Sequence, residues 1–145
     1  MNATQKKFIL KKLIPFITRE HGCGFGMSNW RYEALPGVFA SQDEVERRVP
    51  VCGTVACLGG STQILAKTRA KSRGLSKILG ITKKQADGLF YRWEPDDYQG
   101  NGTAWPEKFA VAFSRAKTPY GKAMVAVRLL KEVVKTSGEC LETGN

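Results

Sequence analysis

Leu75-Ser-Lys-Ile-Leu79-Gly80-Ile81-Thr82-Lys83-Lys84-Gln85-Ala86-Asp87-Gly88-Leu89-Phe90-Tyr91-Arg92-Trp93 is the stretch from which the fold is read. Leu75 to Leu79 forms a short helix. Gly80 follows in the place of a glycine C-cap, where a left-handed backbone closes the last turn. Thr82 with Gln85 three residues on has the form of a capping box, in which each side chain satisfies a backbone N–H of the other residue. Ala86, Leu89, Phe90 and Trp93 then recur at the spacing of one helix face.

Working upstream, Thr54 is a suitable N-cap for a helix reaching about Lys71, with Val55, Leu58, Thr62 and Leu65 along one side. Gly59-Gly60 inside that helix costs about 1 kcal/mol per glycine relative to alanine, and Gly74 breaks the chain after it. Ser41-Gln-Asp-Glu44 reads as a second capping box, opening a short helix that Pro50 terminates after Arg48. Leu35-Pro-Gly37 marks a turn. Gly22, Gly24 and Gly26 exclude regular structure around them. The first helix is expected from about Thr4 to Glu20, bent or divided by Pro15, with Phe8, Ile9, Leu13, Phe16 and Ile17 facing inward. Downstream, Glu94 to Gly102 is a loop. Trp105-Pro106 opens a helix with Phe109, Ala112, Phe113 and Ala116 inside. Thr118-Pro119 opens the last helix, with a stripe of Met124, Val127, Leu130 and Val134. No segment alternates as a strand would. The expectation is an all-α fold: a single compact domain of five to seven helices over residues 1–136, a long irregular loop near residues 21–41, and a flexible tail at 137–145.

The charge is unevenly placed. Of 23 Lys and Arg residues, nine lie between Arg47 and Ala86, where no Asp or Glu occurs. They are Arg47, Arg48, Lys67, Arg69, Lys71, Arg73, Lys77, Lys83 and Lys84. That leaves 14 basic residues elsewhere against the chain's 13 acidic ones, so the net charge of +10 resides almost wholly in one block. A focused positive field concentrates anions. The partners expected are nucleic acid, nucleotide or nucleoprotein; oligomeric state is left open. No apolar run approaches the ~20 residues of a membrane span. The amphipathic first helix, interrupted by lysines, resembles neither a signal peptide nor an anchor. Four cysteines without a secretion signal suggest a reducing, cytoplasmic setting.

Four arrangements could carry chemistry. His21, Cys23, Cys52 and Cys57 have the residue types of a structural zinc site. Their spacing, with one residue between one pair and four between the other, argues against it, and no metal or cofactor is expected. Cys52 or Cys57 near a helix N-terminus could be an activated nucleophile with His21 as base, but nothing in the sequence brings them together. Gly53 and Thr54 at a helix start could cradle an anion on unpaired N–H groups. Finally, Leu75 to Leu89 matches a helix-turn-helix, which would offer Thr82, Lys83, Lys84, Gln85 and Asp87 to a major groove. Trp30, Trp93 and Trp105 are either base-stacking platforms or, more often for such positions, core anchors.

Cys52-Gly-Thr-Val-Ala-Cys-Leu-Gly-Gly60, Leu79-Gly-Ile-Thr82, Gln85-Ala86, Leu89-Phe90 and Trp105-Pro106, with Met27-Ser-Asn-Trp30 ahead of them, resemble a family of small bacterial and phage proteins. In that family Cys-Gly-Thr-x-x-Cys-Ile-Ala-Gly is followed by Leu-Gly-Leu, Leu-Phe and Trp-Pro. The resemblance spans roughly Phe8 to Val134. It implies a bacterial or phage origin and a fold, but no activity. The chain departs from the pattern in an insertion around Tyr32 to Pro50 and in its basicity. The function expected is a non-enzymatic accessory or anti-defence protein that engages an anionic partner; the alternatives are a helix-turn-helix regulator and a small cysteine enzyme.

Overall fold

Asn2 opens the first helix with a complete capping box: its side chain accepts from the Gln5 N–H at 2.9 Å, and Gln5 Oε1 accepts from the Asn2 N–H at 2.7 Å. The computed structural model describes residues 1–27, 31–33, 54–95 and 103–142. Helix α1 runs through Ala3–Phe8, a π-helical turn at Ile9–Leu13, and Ile14–Thr18. Pro15 accounts for the π turn: it has no N–H to donate, and its ring would strike the carbonyl four residues back. The wider turn, with the Ile14 N–H bonded to the Ile9 carbonyl, makes room. Ile9, Leu13, Phe16 and Ile17 are buried, and Phe8 packs against the core half-buried.

A 3-10 turn at Arg19–Gly22 follows, with Glu20 and His21 both left-handed. Two three-residue strands then pair antiparallel: β1, Arg31–Glu33, and β2, Thr54–Ala56, in the register Arg31↔Ala56 and Glu33↔Thr54. Phe25 bridges Ala56 in parallel. These strands are too short to show alternation, and the fold remains predominantly helical. Four helices complete the sequence before the last: α2 (Leu58–Ala66), α3 (Ser72–Leu79), α4 (Lys83–Tyr91) and α5 (Glu107–Arg115). The 18-residue α6, Pro119–Thr136, begins at an N-cap Thr118 and is the axis of the core. Its Ala123, Val125, Ala126, Val127, Leu129, Leu130 and Val133 are all buried, with α1 and α5 packed against it. The expected stripe on α6 is therefore corrected: Met124 and Val134 lie at its margin, because the helix is enclosed on more than one side.

Three boundaries also move. α2 starts at Leu58, not after Thr54, because the Thr54–Ala56 backbone is engaged in the ribbon; Cys57 caps it instead, its sulfur accepting from the Gly60 N–H at 3.3 Å. Gly74 lies inside α3 rather than before it. The segment after Ser137 is not loose as far as Glu142. Gly138, left-handed, turns the chain back so that Glu139–Glu142 forms a 3-10 turn; Leu141 is fully buried, and its carbonyl accepts from the Ala104 N–H at 3.2 Å. The expected turn at Leu35–Gly37, the helix from Ser41 to Arg48, Trp30 and residues 96–102 lie outside the described residues.

Thr103 to Trp105 clamp α4. The Trp105 indole, 1% exposed, donates to the Leu89 carbonyl at 2.8 Å, and its backbone N–H donates to the Arg92 carbonyl at 2.9 Å. One turn earlier, a Cβ on Gly88 would sit 2.7 Å from the Thr103 carbonyl. Helix propensity alone favours alanine at Gly88 by about 1 kcal/mol, but the collision is with backbone, which cannot swing aside. We expect Gly88→Ala to destabilise the protein by about 1–3 kcal/mol, read from the midpoint of chemical denaturation; a gain in stability would show that the segments are not in contact.

Candidate anion-binding surface

The α3–α4 hairpin forms as its sequence indicates. Gly80 is left-handed and its N–H donates to the Ser76 carbonyl at 2.8 Å. Thr82 and Gln85 close the capping box, Thr82 Oγ1 accepting from the Gln85 N–H at 3.0 Å and Gln85 Oε1 from the Thr82 N–H at 2.8 Å. Leu75, Leu79, Ala86, Leu89 and Phe90 are buried between the helices and the core. The solvent side carries the charge. Lys67, Arg69, Lys71, Arg73, Lys77, Lys83 and Lys84 are all exposed. Arg47, Arg48 and Gly53 lie outside the described residues. Thr54 is placed in β2 and does not stand at a helix start.

The placement of these cations relative to the helices is unusual. Lys71 is the N-cap residue of α3 and Arg73 lies in its first turn; Lys83 and Lys84 are the first two residues of α4. Neither first turn holds an acidic residue. The N-terminal turn of a helix already presents positive N–H dipoles, so each cation there is unfavourable by about 0.3–1 kcal/mol at low salt. Lys77, in the last turn of α3, and Lys67, which caps the end of α2, sit where a helix favours cations.

Asp87 answers this field from α4. Asp87 Oδ2 accepts from Lys83 Nζ at 2.9 Å, with the two side chains 37% and 58% exposed. Partial desolvation works to raise the Asp87 pKa, but the hydrogen bond from the Ser72 hydroxyl and the Lys83 ammonium outweigh it, and its carboxyl titrates below the ordinary value. Asp87 thus lends a carboxylate to the first turn of α3, which has none of its own. Tyr91, one helical turn further on, is half exposed and hydrogen-bonds the same Ser72; burial is the main cause that pushes its pKa up. Gln85, expected to face a groove, is instead buried, with its carboxamide packed against Gly138 and committed to the capping box.

Among the described residues the other arrangements do not assemble. His21 and Cys23 are exposed, Cys57 is buried, and Cys52 lies outside the described residues; among the described residues no three His, Cys, Asp or Glu side chains come together to hold a metal. His21 stacks edge-on against Tyr120 at 5.8 Å. Trp93 and Trp105 pack edge-on against Phe113, at 5.8 and 5.2 Å, as core anchors. Cys57 sits at a helix N-terminus, where its pKa was expected to fall. Burial dominates, and despite hydrogen bonds from the Gly60 and Gly59 N–H groups and the charge of Lys71 its thiol is pushed up from 9.0 to about 11. Four residues on, Ser61 Oγ is fully buried without a hydrogen-bond partner among the described residues. Replacement of a buried, unpaired hydroxyl by hydrogen is neutral or stabilising.

Two expectations follow from the thiol and the hydroxyl. At neutral pH iodoacetamide modifies Cys23 in the folded protein and reaches Cys57 only on unfolding, a difference read by peptide mass spectrometry. Because the folded pKa of Cys57 exceeds the unfolded one, its contribution to stability is complete below about pH 9 and is lost as pH rises toward 11. Ser61→Ala leaves the denaturation midpoint unchanged or raises it, whereas Thr62→Ala, which removes the bond from Oγ1 to the Leu58 carbonyl at 2.8 Å, lowers it. Comparisons of the chain with protein-family models, with curated proteins and with solved structures give no match.

Proposed function

We propose that this chain is a non-enzymatic binding protein that engages an anionic partner, a nucleic acid, nucleotide or nucleoprotein, through the cationic surface of α3 and α4. The observation that carries this reading is the position of Lys71, Arg73, Lys83 and Lys84 at two helix N-termini. A surface shaped only for solubility would place Asp or Glu there, since acids favour helix starts. Cations held against the local dipole are stabilised when a polyanion arrives, because phosphate then meets both the side chains and the N–H dipoles. The resemblance of the Cys52 to Gly60 and Trp105-Pro106 motifs supports a phage or mobile-element accessory within a bacterial host; the anti-defence role belongs to the proposal and does not follow from the resemblance. Against an enzyme stands Cys57, whose thiol remains protonated at neutral pH.

A second reading, a sequence-specific helix-turn-helix regulator, draws support from the left-handed Gly80 and the capping box between α3 and α4. It has fewer groups to work with than the sequence suggested. With Gln85 buried and Lys83 paired to Asp87, base-edge readout would fall on Thr82 and Lys84.

The test couples stability to binding. Arg73→Glu and Lys84→Glu each relieve a dipole clash and are expected to raise stability by about 0.3–1 kcal/mol at low salt, while weakening retention of a polyanion. Binding of duplex DNA, single-stranded DNA and nucleotides is measured by fluorescence anisotropy over a salt series. A log–log slope of zero, or no binding to any of these ligands, rejects the proposal.

A further inference from the structure

The cationic surface does not end with the block seen in the sequence. Gln5 Nε2 of α1 donates to the Lys77 carbonyl of α3 at 3.0 Å. The same carboxamide lies against Gly80, where a Cβ would collide with it. The first turn of α1 is thereby fixed to the C-terminal end of α3, and with it the exposed Lys6 and Lys7. In sequence these lysines are some seventy residues from Lys77; in the fold they follow directly on Gln5, the residue that contacts it. Gly80 leads through Ile81 and Thr82 directly to Lys83 and Lys84. α1, α3 and α4 together hold eight Lys or Arg and a single acid, Asp87, which is paired.

Resting on the reading above, we propose that these three helices form one track for double-stranded nucleic acid, held through its phosphates, with Lys6 and Lys7 as further binding residues. Charge complementarity selects a polyanion. Among the described residues the shortage of stacking surface favours a duplex: single strands are gripped by aromatic faces between cations, yet Trp93 and Trp105 are occupied in the core. Among the described residues of these helices, only Leu10 and Tyr91 are large, apolar and exposed. The shortage of free base-reading groups on α4 makes the contact one of phosphates rather than sequence.

The experiment uses the full chain with a short mixed-sequence DNA duplex, an RNA duplex of the same sequence, and a single strand of equal length. Lys6→Glu/Lys7→Glu is expected to weaken duplex binding about tenfold and to flatten the salt dependence by a log–log slope of about 1–2. Lys131→Glu/Lys135→Glu on α6 changes net charge equally and is expected to leave both within twofold. Whichever duplex binds more tightly identifies the natural source. If Arg73→Glu and Lys84→Glu weaken binding while Lys6→Glu/Lys7→Glu does not, or if the α6 pair weakens it equally, the track is overturned and the reading of α3 and α4 stands. Tighter binding of the single strand overturns the duplex. If the unaltered protein binds none of the three, the reading beneath it fails as well.

Discussion

The contact on which this arrangement depends is the approach of Thr103 to Gly88. The Thr103 backbone and its methyl group lie directly against the helix at Gly88, and the Trp105 indole completes the junction at the next residue of α4, Leu89. Glycine at position 88 is what permits that approach. With Thr103 to Trp105 seated on one flank of α4, and Gln85 packed on Gly138 at another, the helix has little freedom to rotate. Its inward side is committed to Ala86, Leu89 and Phe90. What remains for solvent is Lys83, Lys84, Asp87 and Tyr91, so a steric constraint in the interior determines which charges the protein displays.

Displaying those charges opposes local stability. The unfavourable dipole terms at α3 and α4, each about 0.3–1 kcal/mol, are a modest part of the 5–15 kcal/mol typical of a domain's stability. A core built on the buried side of α6 can absorb them. The Lys83–Asp87 ion pair recovers little, since exposed pairs at this helical spacing contribute roughly 0.3–0.5 kcal/mol. Asp87 is better understood through Ser72: it places negative charge at the start of α3 from a neighbouring helix, leaving Lys71 and Arg73 outward.

Features set by local chemistry were readable in the sequence. Gly80, the Thr82–Gln85 box, Thr118 with Pro119, and the inward faces of α1 and α4 all follow from residues within a turn or two of one another. Features set by distant segments were not. Thr54 has the side chain of an N-cap, but its backbone pairs with Glu33, and no local signal announces that partner. The residues after Ser137 are polar and small, yet Leu141 is drawn into the core because Gly138 can turn left-handed there. Pro15 signalled a disturbance in α1 without indicating that a π turn would absorb it. For the candidate surface, Lys67 to Lys84 stood out as a run in the sequence, whereas Lys6 and Lys7 joined it only through the contact of Gln5 with Lys77.

Cys57 and Lys84 show how burial decides what a helix N-terminus does. Both occupy positions where backbone N–H groups project positive charge. At Cys57 the site is enclosed, and the cost of desolvating a thiolate exceeds what the dipole and two hydrogen bonds return, so the sulfur stays neutral and serves as a cap. At Lys84 the site is open to water, the side chain keeps its charge, and the dipole adds to the field instead of being consumed by a buried group. The same backbone feature therefore gives an inert structural cap inside the protein and an anion-attracting edge on its surface. Cys57 belongs to the first case and holds the start of α2; the lysines and arginines at the starts of α3 and α4 belong to the second.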